Sequence, residues 1–464
     1  MAFYHTFTIL STMLSITIKI YKLHHSPQFF FLSLLLSLFL FCRIHQDMIN
    51  FFKGHPTREL LPAKVIAESY KRVLLDSNYL SYDTDPLNQH PLQYGTDPGN
   101  LEIRKTVAQW VDRKFGIQGS DPDCINLTAG ASYGVGNILA SVTSPEITQR
   151  AFIVTPTYFL INSSFLDVGF EGKMTAIEET PNGEYTIDVE HLEKALIKYS
   201  QGLEPVHDDI NIKIDPVRGK RKFYRFVMYL VPTFSNPGGL TYSLQTRYKL
   251  LELARKYDML LISDDVYEFL DYTDAKNPIA RFNQLDKATV TSSYGNTISN
   301  ATFSKIIAPG LRVGWQESAT PKLVQQLAVT GSNRSGGTPN QLSTFVVADL
   351  INSGEIDKII ESFKKVYSER VRVLKESIAK YLPADTKVYG GEGGYFVWVV
   401  TPNANAYETV TELAKHGVVL AGGENFEVSG DTRSWGQHCV RLSISYLTKE
   451  EIEKGVKLWG EFLK

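Results

Sequence analysis

Four apolar runs in the middle of the chain constrain its fold more than any other feature. They are Ile125–Thr128, Phe152 up to Pro156, Phe226–Val231 and Met259–Ser263. Each is short enough for a buried strand and stops at a turn-forming or charged residue: Gly130, Pro156, Pro232 and Asp264. A helical stretch, Leu244–Tyr257, feeds the last of them. Alternating strands and helices predict an α/β fold with a mostly parallel central sheet, flanked by helices, and a ligand at the carboxyl ends of the strands. At 464 residues the chain is too long for one ordinary domain and predicts a large domain with a smaller one.

The residues that carry chemistry lie beyond those strands. The longest motif is Thr302-Phe303-Ser304-Lys305-Ile306-Ile307-Ala308-Pro309-Gly310-Leu311-Arg312-Val313-Gly314-Trp315. Lys305 sits on a constrained loop with the hydroxyls of Thr302 and Ser304 beside it, and Arg312 follows close enough to reach the same anion. That pattern suits a lysine that forms a Schiff base with an aldehyde cofactor carrying a phosphate. A surface Ser-Lys turn is the plainer reading of any one such lysine. The whole run, however, resembles the Schiff-base lysine segment of class I/II (fold-type I) aminotransferases, S-x-S-K-x-x-A-P-G-L-R-x-G-W. Thr302 replaces the usual serine and keeps its hydroxyl. The resemblance implies pyridoxal 5′-phosphate (PLP) as cofactor and a fold of a large PLP-binding domain plus a smaller α+β domain.

Other segments resemble the same family in the same order. Gly54-His55-Pro56 is similar to a G-x-P near the family's start, where glycine lets backbone approach the substrate; Arg58 nearby is read as solvated rather than reaching the substrate's distal end. Leu92–Arg104 resembles Q-Y-G-x-x-x-G-x-x-x-L-R, which implies that Tyr94 reaches the cofactor phosphate of a neighbouring subunit in a homodimer. Gly130-Ala131-Ser132-Tyr133 stands for the family's G-S-Q-Q. A strand-to-helix turn there offers free backbone N–H groups to a phosphate, from Ala131 and Ser132. Pro156-Thr157-Tyr158 places Tyr158 to stack on the cofactor ring. Pro232–Gly239 resembles P-x-x-x-N-P-[TG]-G, with the Asn236 amide donating to the cofactor's phenolic oxygen. In Asp264-Asp265-Val266-Tyr267 the D-x-x-Y spacing implies Asp264 as the partner of a protonated pyridine nitrogen and Tyr267 as a donor to the phenolic oxygen. Asp265 is then expected to face elsewhere, towards solvent. Gly393–Trp398 reads as a strand of the small domain. Val440-Arg441-Leu442-Ser443 matches the R-L-S segment, which implies Arg441 as the planar clamp on the substrate α-carboxylate.

The division expected from these motifs is an apolar N-terminal segment (1–47), an N-terminal arm and part of the small domain (48–90), a large PLP-binding domain (91–350) and a small C-terminal domain (351–464). The implied reaction is transamination, with Lys305 as a neutral amine removing the α-proton and later returning it. The catalytic set is Lys305, Asp264 and Tyr267. Thr302, Ser304 and Arg312 join the cofactor-binding set, and Gly54 and Asn236 join Arg441 at the substrate. The chain resembles the 2-aminoadipate/kynurenine aminotransferase group most, including fungal members. The expected pair is glutamate and 2-oxoglutarate with 2-aminoadipate or an aromatic amino acid. A cysteine-S-conjugate β-lyase or an aminocyclopropane-carboxylate-synthase-like enzyme would use the same constellation. A non-enzymatic PLP sensor would need an N-terminal DNA-binding helix-turn-helix, for which residues 1–47 are far too apolar.

Residues 1–47 are unlike the rest. They hold no acidic residue before Asp47, and Phe29–Cys42 is strongly apolar but shorter than the ~20 residues of a spanning helix. A signal-peptide core, a short anchor and a targeting segment are all readings of it. Met48, directly before the first motif, is preferred as the functional start, which makes a cytoplasmic protein the expectation and a membrane-tethered or organelle-targeted one the alternative. Cys42, Cys124 and Cys439 form no metal-ligand spacing and leave one thiol over in any disulfide scheme, so a reducing compartment is the default and no metal is expected. The net charge of −2 gives no nucleic-acid or acidic-membrane signature. The basic run Arg218–Lys222 within Gln201–Lys222 is read as a solvated surface loop.

Overall fold

The structure is a computed structural model that describes residues 48–464, except 78–81, 83, 209, 274–277 and 403–404. The readings of residues 1–47, Cys42 included, lie outside the described residues.

In chain order the strands are β1 (Ile49–Asn50), β2 (Ile125–Thr128), β3 (Arg150–Thr155), β4 (Met174–Glu178), β5 (Ile212–Asp215), β6 (Gly219–Lys222), β7 (Phe226–Leu230) and β8 (Met259–Asp265). They continue as β9 (Thr297–Thr302), β10 (Gly314–Ser318), β11 (Lys387–Gly390), β12 (Phe396–Val400), β13 (Val418–Val419), β14 (Ala421–Gly422) and β15 (Cys439–Ser443). The large sheet has the order β2-β10-β9-β8-β7-β3-β4. β10 is antiparallel to both neighbours and the remaining pairs are parallel. The carboxyl ends of β2, β3, β7, β8 and β9 therefore share one edge, and β10 begins there. All seven residues of β8 are buried, as a strand covered on both faces requires.

The flanking helices obey their own sequence signals. Helix Leu101–Phe115 buries Ile103, Val107, Trp110 and Val111, one stripe of a 3.6-residue repeat, and stops at Gly116 with φ +63°. Helix Leu244–Tyr257 starts where the Ser243 hydroxyl accepts from the Thr246 N–H and ends at Asp258. Trp110 also supports the site from beneath. Its ring lies 4.5 Å from Phe269 and 5.9 Å from Phe303, and Phe303 lies 4.7 Å from Trp315. Such aromatic pairs contribute about 0.5–1.5 kcal/mol each beyond area burial. Phe303 is fully buried, so the turn that carries Lys305 is anchored by its own first residue.

A second, antiparallel sheet, β11-β12-β15-β14, is met at the residues flanking β12 and β15 by the long helix Glu355–Tyr381. The helix's Tyr367 ring lies 5.3 Å from that of Tyr395, and its Arg370 donates to the Ile444 and Ser445 carbonyls; that helix lies along helix Lys449–Phe462. β1 pairs in parallel with β13, Ile49 opposite Val418, so the first described residues lie beside the last hundred. Among the described residues no helix is long and apolar enough to cross a membrane, and Cys124 and Cys439 are buried free thiols.

The basic run is solvated only at Arg218–Lys220, and it is not a loop throughout. Residues 212–222 form the hairpin β5–β6, in which Arg221 and Lys222 are buried while Lys220 is exposed. Lys222 Nζ pairs with Asp258 Oδ1 at 2.6 Å, and Arg221 donates to the Ser141 carbonyl at 2.8 Å. Arg221 and Lys222 thus serve internal pairing.

Candidate active site

A cavity of about 320 Å³ opens at the carboxyl edge of the large sheet. It gathers Gly54, Ala131, Ser132, Tyr158, Asn236, Asp264, Tyr267, Thr302, Ser304, Lys305, Arg312 and Arg441 from across the chain. Tyr94, the remaining sequence-derived candidate, is 79% exposed and does not line it.

Lys305 ends a short 3-10 turn that follows β9 directly. Thr302 holds the turn: its hydroxyl accepts from the Ser304 N–H at 3.1 Å and lies 2.9 Å from Ser304 Oγ. Tyr395 donates to the Lys305 carbonyl at 2.9 Å. Among the described residues Lys305 Nζ donates to the Gly54 carbonyl at 3.2 Å. Burial, reinforced by the nearby charge of Arg441, pulls the lysine down to about 8, with Asp264 opposing.

Asp264 lies near the end of β8. Its two oxygens accept from Tyr229 at 2.7 Å and Asn300 at 2.9 Å, and burial still pushes it up to about 6. No described cation lies within ion-pair distance of it. Asp265 faces away from the cavity, as expected, but into the protein and not towards solvent. Adjacent residues on a strand point to opposite faces. Asp265 turns into the protein, where it accepts from Ser263 at 2.7 Å and Ser299 at 2.6 Å, with Arg281 3.7 Å away.

Arg441 reaches the cavity from β15. Nη1 donates to Asn236 Oδ1 at 3.0 Å and Nη2 to the Phe52 carbonyl at 2.6 Å, while the guanidinium lies 4.1 Å from the Phe396 ring centroid. Its Nε has no hydrogen-bond partner among the described residues, and no described carboxylate pairs with it. Burial draws it down to about 10. A buried guanidinium left without an anion is costly unless a ligand supplies one.

Asn236 accepts from Arg441 through its oxygen, and its side chain also hydrogen-bonds with Tyr267. Tyr267 is buried and raised by that burial, with the charge of Arg441 opposing; Tyr158 is raised mainly by burial too. Across the cavity, helix Ala131–Val142 presents its amino end, with Gly130 at φ +90° as cap. A Cβ on Gly130 would stand 3.0 Å from Arg312 Nη2, so glycine permits the close approach. Arg312 itself has φ +52°, an uncommon conformation for a non-glycine residue, and donates to the carbonyls of Ala129 and Pro309, both at 3.2 Å. Helix amino end and guanidinium together form an anion cradle.

Sequence reasoning missed Tyr229 and Asn300, which hold Asp264, and Lys53, Phe159 and Phe396, which line the cavity. Asn300 gave one usable signal: a buried strand with an amide in its middle needs a partner for it. Arg58 is exposed and outside the cavity lining.

Comparison with known proteins places these residues in context. A family model described as aminotransferase class I and II matches residues 55–458. The chain is 46% identical over 433 residues to an uncharacterized protein of Saccharomyces cerevisiae, covering 90% of this chain and 97% of that one. It is 26% identical over 422 residues to a 2-aminoadipate transaminase of Thermus thermophilus, covering 90% of each. The solved structure of a kynurenine aminotransferase from Pyrococcus horikoshii, in complex with PMP, matches with a TM-score of 0.70 at 26% identity, over 92% of this chain and 94% of that one.

Proposed function

Because the chain belongs to the aminotransferase class I and II family, and is therefore a transaminase that uses pyridoxal 5′-phosphate, we propose that it moves an amino group between 2-aminoadipate or an aromatic, kynurenine-like amino acid and a 2-oxo acid such as 2-oxoglutarate. The observation that carries this reading is one cavity holding a lysine drawn down to about 8, a buried carboxylate without a cation and a buried guanidinium without an anion.

The residues present fit the cofactor. Asp264 awaits a cation, the helix Ala131–Val142 and Arg312 await a phosphate, and Tyr158 borders the space between. When bound, pyridoxal 5′-phosphate supplies the aldehyde that captures an amine and a ring that takes up negative charge from the α-carbon. Asp264, its carboxylate fixed by Tyr229 and Asn300, would hold the cationic end of the ring. Ala131, Ser132, Thr302, Ser304 and Arg312 would hold the phosphate end, and Asn236 and Tyr267 would donate to the phenolic oxygen. Arg441 orients the substrate through its α-carboxylate. Lys305 Nζ, buried and drawn towards its neutral form, would take up the substrate's α-proton and hold it for return. Gly54, whose carbonyl holds Lys305 Nζ, lets the backbone approach the substrate. Tyr94, exposed on one protomer, completes the phosphate site of the partner in a homodimer.

The test follows the visible absorbance of holoenzyme starting at Met48 while single amino acids are added without any oxo acid. Conversion to the pyridoxamine form with 2-aminoadipate, kynurenine or glutamate is the expected result and ranks the donors. No conversion with any of the three would overturn it, and pyruvate with ammonia from an added cysteine S-conjugate would then mark a lyase.

A further inference from the structure

Five charged side chains line the cavity: Lys53, Lys305, Arg312, Arg441 and the single carboxylate Asp264. The proposed reaction gives four of them a task and leaves Lys53 over. It has no carboxylate within ion-pair distance among the described residues. Its Nζ instead rests 4.2 Å from the centroid of the Tyr446 ring, a position that a stronger anion can outcompete.

The backbone fixes where this cation can reach. The carbonyl just before Lys53, that of Phe52, accepts from Arg441, and the carbonyl just after it, that of Gly54, accepts from Lys305. The strap itself is tied to the small sheet, because Ser443 N donates to the Phe51 carbonyl at 3.0 Å and Ser445 Oγ to the His55 carbonyl at 3.0 Å. Lys53 is thus held one residue away from contacts with both the α-carboxylate clamp and the reactive lysine. A flexible four-carbon stem carries a compact charge that tolerates ligands differing by one methylene.

We propose that Lys53 binds the distal carboxylate of dicarboxylic 2-oxo and 2-amino acid substrates, while the rings of Phe52, Phe159 and Phe396 bordering the same space accept the aromatic ones. This rests on the transaminase reading in which Arg441 takes the α-carboxylate.

The experiment compares native and Lys53→Met holoenzyme in two ways: KM for 2-oxoglutarate against KM for pyruvate, and calorimetric binding of the unreactive acids glutarate and butyrate. The expected result is a rise of about tenfold or more in the 2-oxoglutarate-to-pyruvate KM ratio, with a matching loss in glutarate-over-butyrate preference. Lys53→Arg should restore most of both. Equal rises in the two KM values would overturn the proposal and make Lys53 a support for the strap. If native enzyme aminates neither oxo acid, the substrate assignment fails on its own, and the glutarate-to-butyrate ratio still decides Lys53: the same ratio in both proteins sinks it.

Discussion

Lys305 Nζ donates to the carbonyl of Gly54 at 3.2 Å, across 251 positions of sequence. The bond joins the turn after β9 to the strap that the small sheet holds in place, so the reactive nitrogen is positioned from both parts of the fold. The neighbouring carbonyl of Phe52 does the same for Arg441. A movement of the strap would therefore shift the two cations together.

Lys305→Ala removes the covalent attachment and the proton carrier while leaving the anion cradle at Arg312 intact. Turnover should fall by at least roughly 10²–10⁴-fold, the range for a lost general base, with cofactor still bound noncovalently. Borohydride trapping followed by mass spectrometry should find the cofactor on Lys305 in native protein and nowhere in the variant. Turnover close to native would refute the mechanism.

The depression of Lys305 to about 8 has a direct consequence for protein stripped of cofactor. Only the neutral amine attacks an aldehyde, and a lowered value means that the neutral form takes over as pH rises through about 8. Covalent capture of added pyridoxal 5′-phosphate should speed up about tenfold per pH unit below that point and level off above it. Stopped-flow absorbance gives the profile. A rate that keeps rising towards pH 10 would mean an ordinary lysine.

Phe303→Ala separates support from chemistry. The ring is fully buried between Trp110 and Trp315, so truncation should cost about 3–5 kcal/mol in urea unfolding of the holoenzyme. Because the next two residues are Ser304 and Lys305, activity at low temperature should also drop although no ligand-facing group is lost. A cost under about 1 kcal/mol would show that the turn is held from elsewhere.

Most of this site was legible because its residues sit in contiguous runs at strand ends, where a turn, a small residue and a charge recur together. Lys305 with Arg312, and Asn236 before its proline, are of that kind. What stayed hidden depends on phase or on distance. The D-x-x-Y spacing singled out Asp264, but where Asp265 goes depends on the alternation along β8, which sends it to Ser299 and the distant Arg281. Tyr229 lies inside an apolar run and reads as core until the Asp264 carboxylate is found beside it. Arg221 and Lys222 look like surface cations because their acceptors, the Ser141 carbonyl and Asp258, lie far away in sequence.

Arg441→Lys tests geometry at constant charge. The guanidinium of Arg441 already uses Nη1 on Asn236 and Nη2 on the Phe52 carbonyl, is stacked on Phe396 and leaves Nε without a partner. A planar fork so fixed offers a carboxylate two parallel hydrogen bonds, whereas an ammonium offers a point charge on a shorter, freely turning stem. The substitution should lower kcat/KM for every amino donor by on the order of 10²-fold, the lower part of the range for spoiling a buried charge pair. The loss should appear for aromatic and dicarboxylic donors alike, because both carry the α-carboxylate; Lys53→Met, in contrast, discriminates between them. Thermal melting of the variant checks that the strap is still seated, since Phe52 loses a donor as well. A kcat/KM within about twofold of native for all donors would place the α-carboxylate away from Arg441 and leave that buried charge without a purpose in the site.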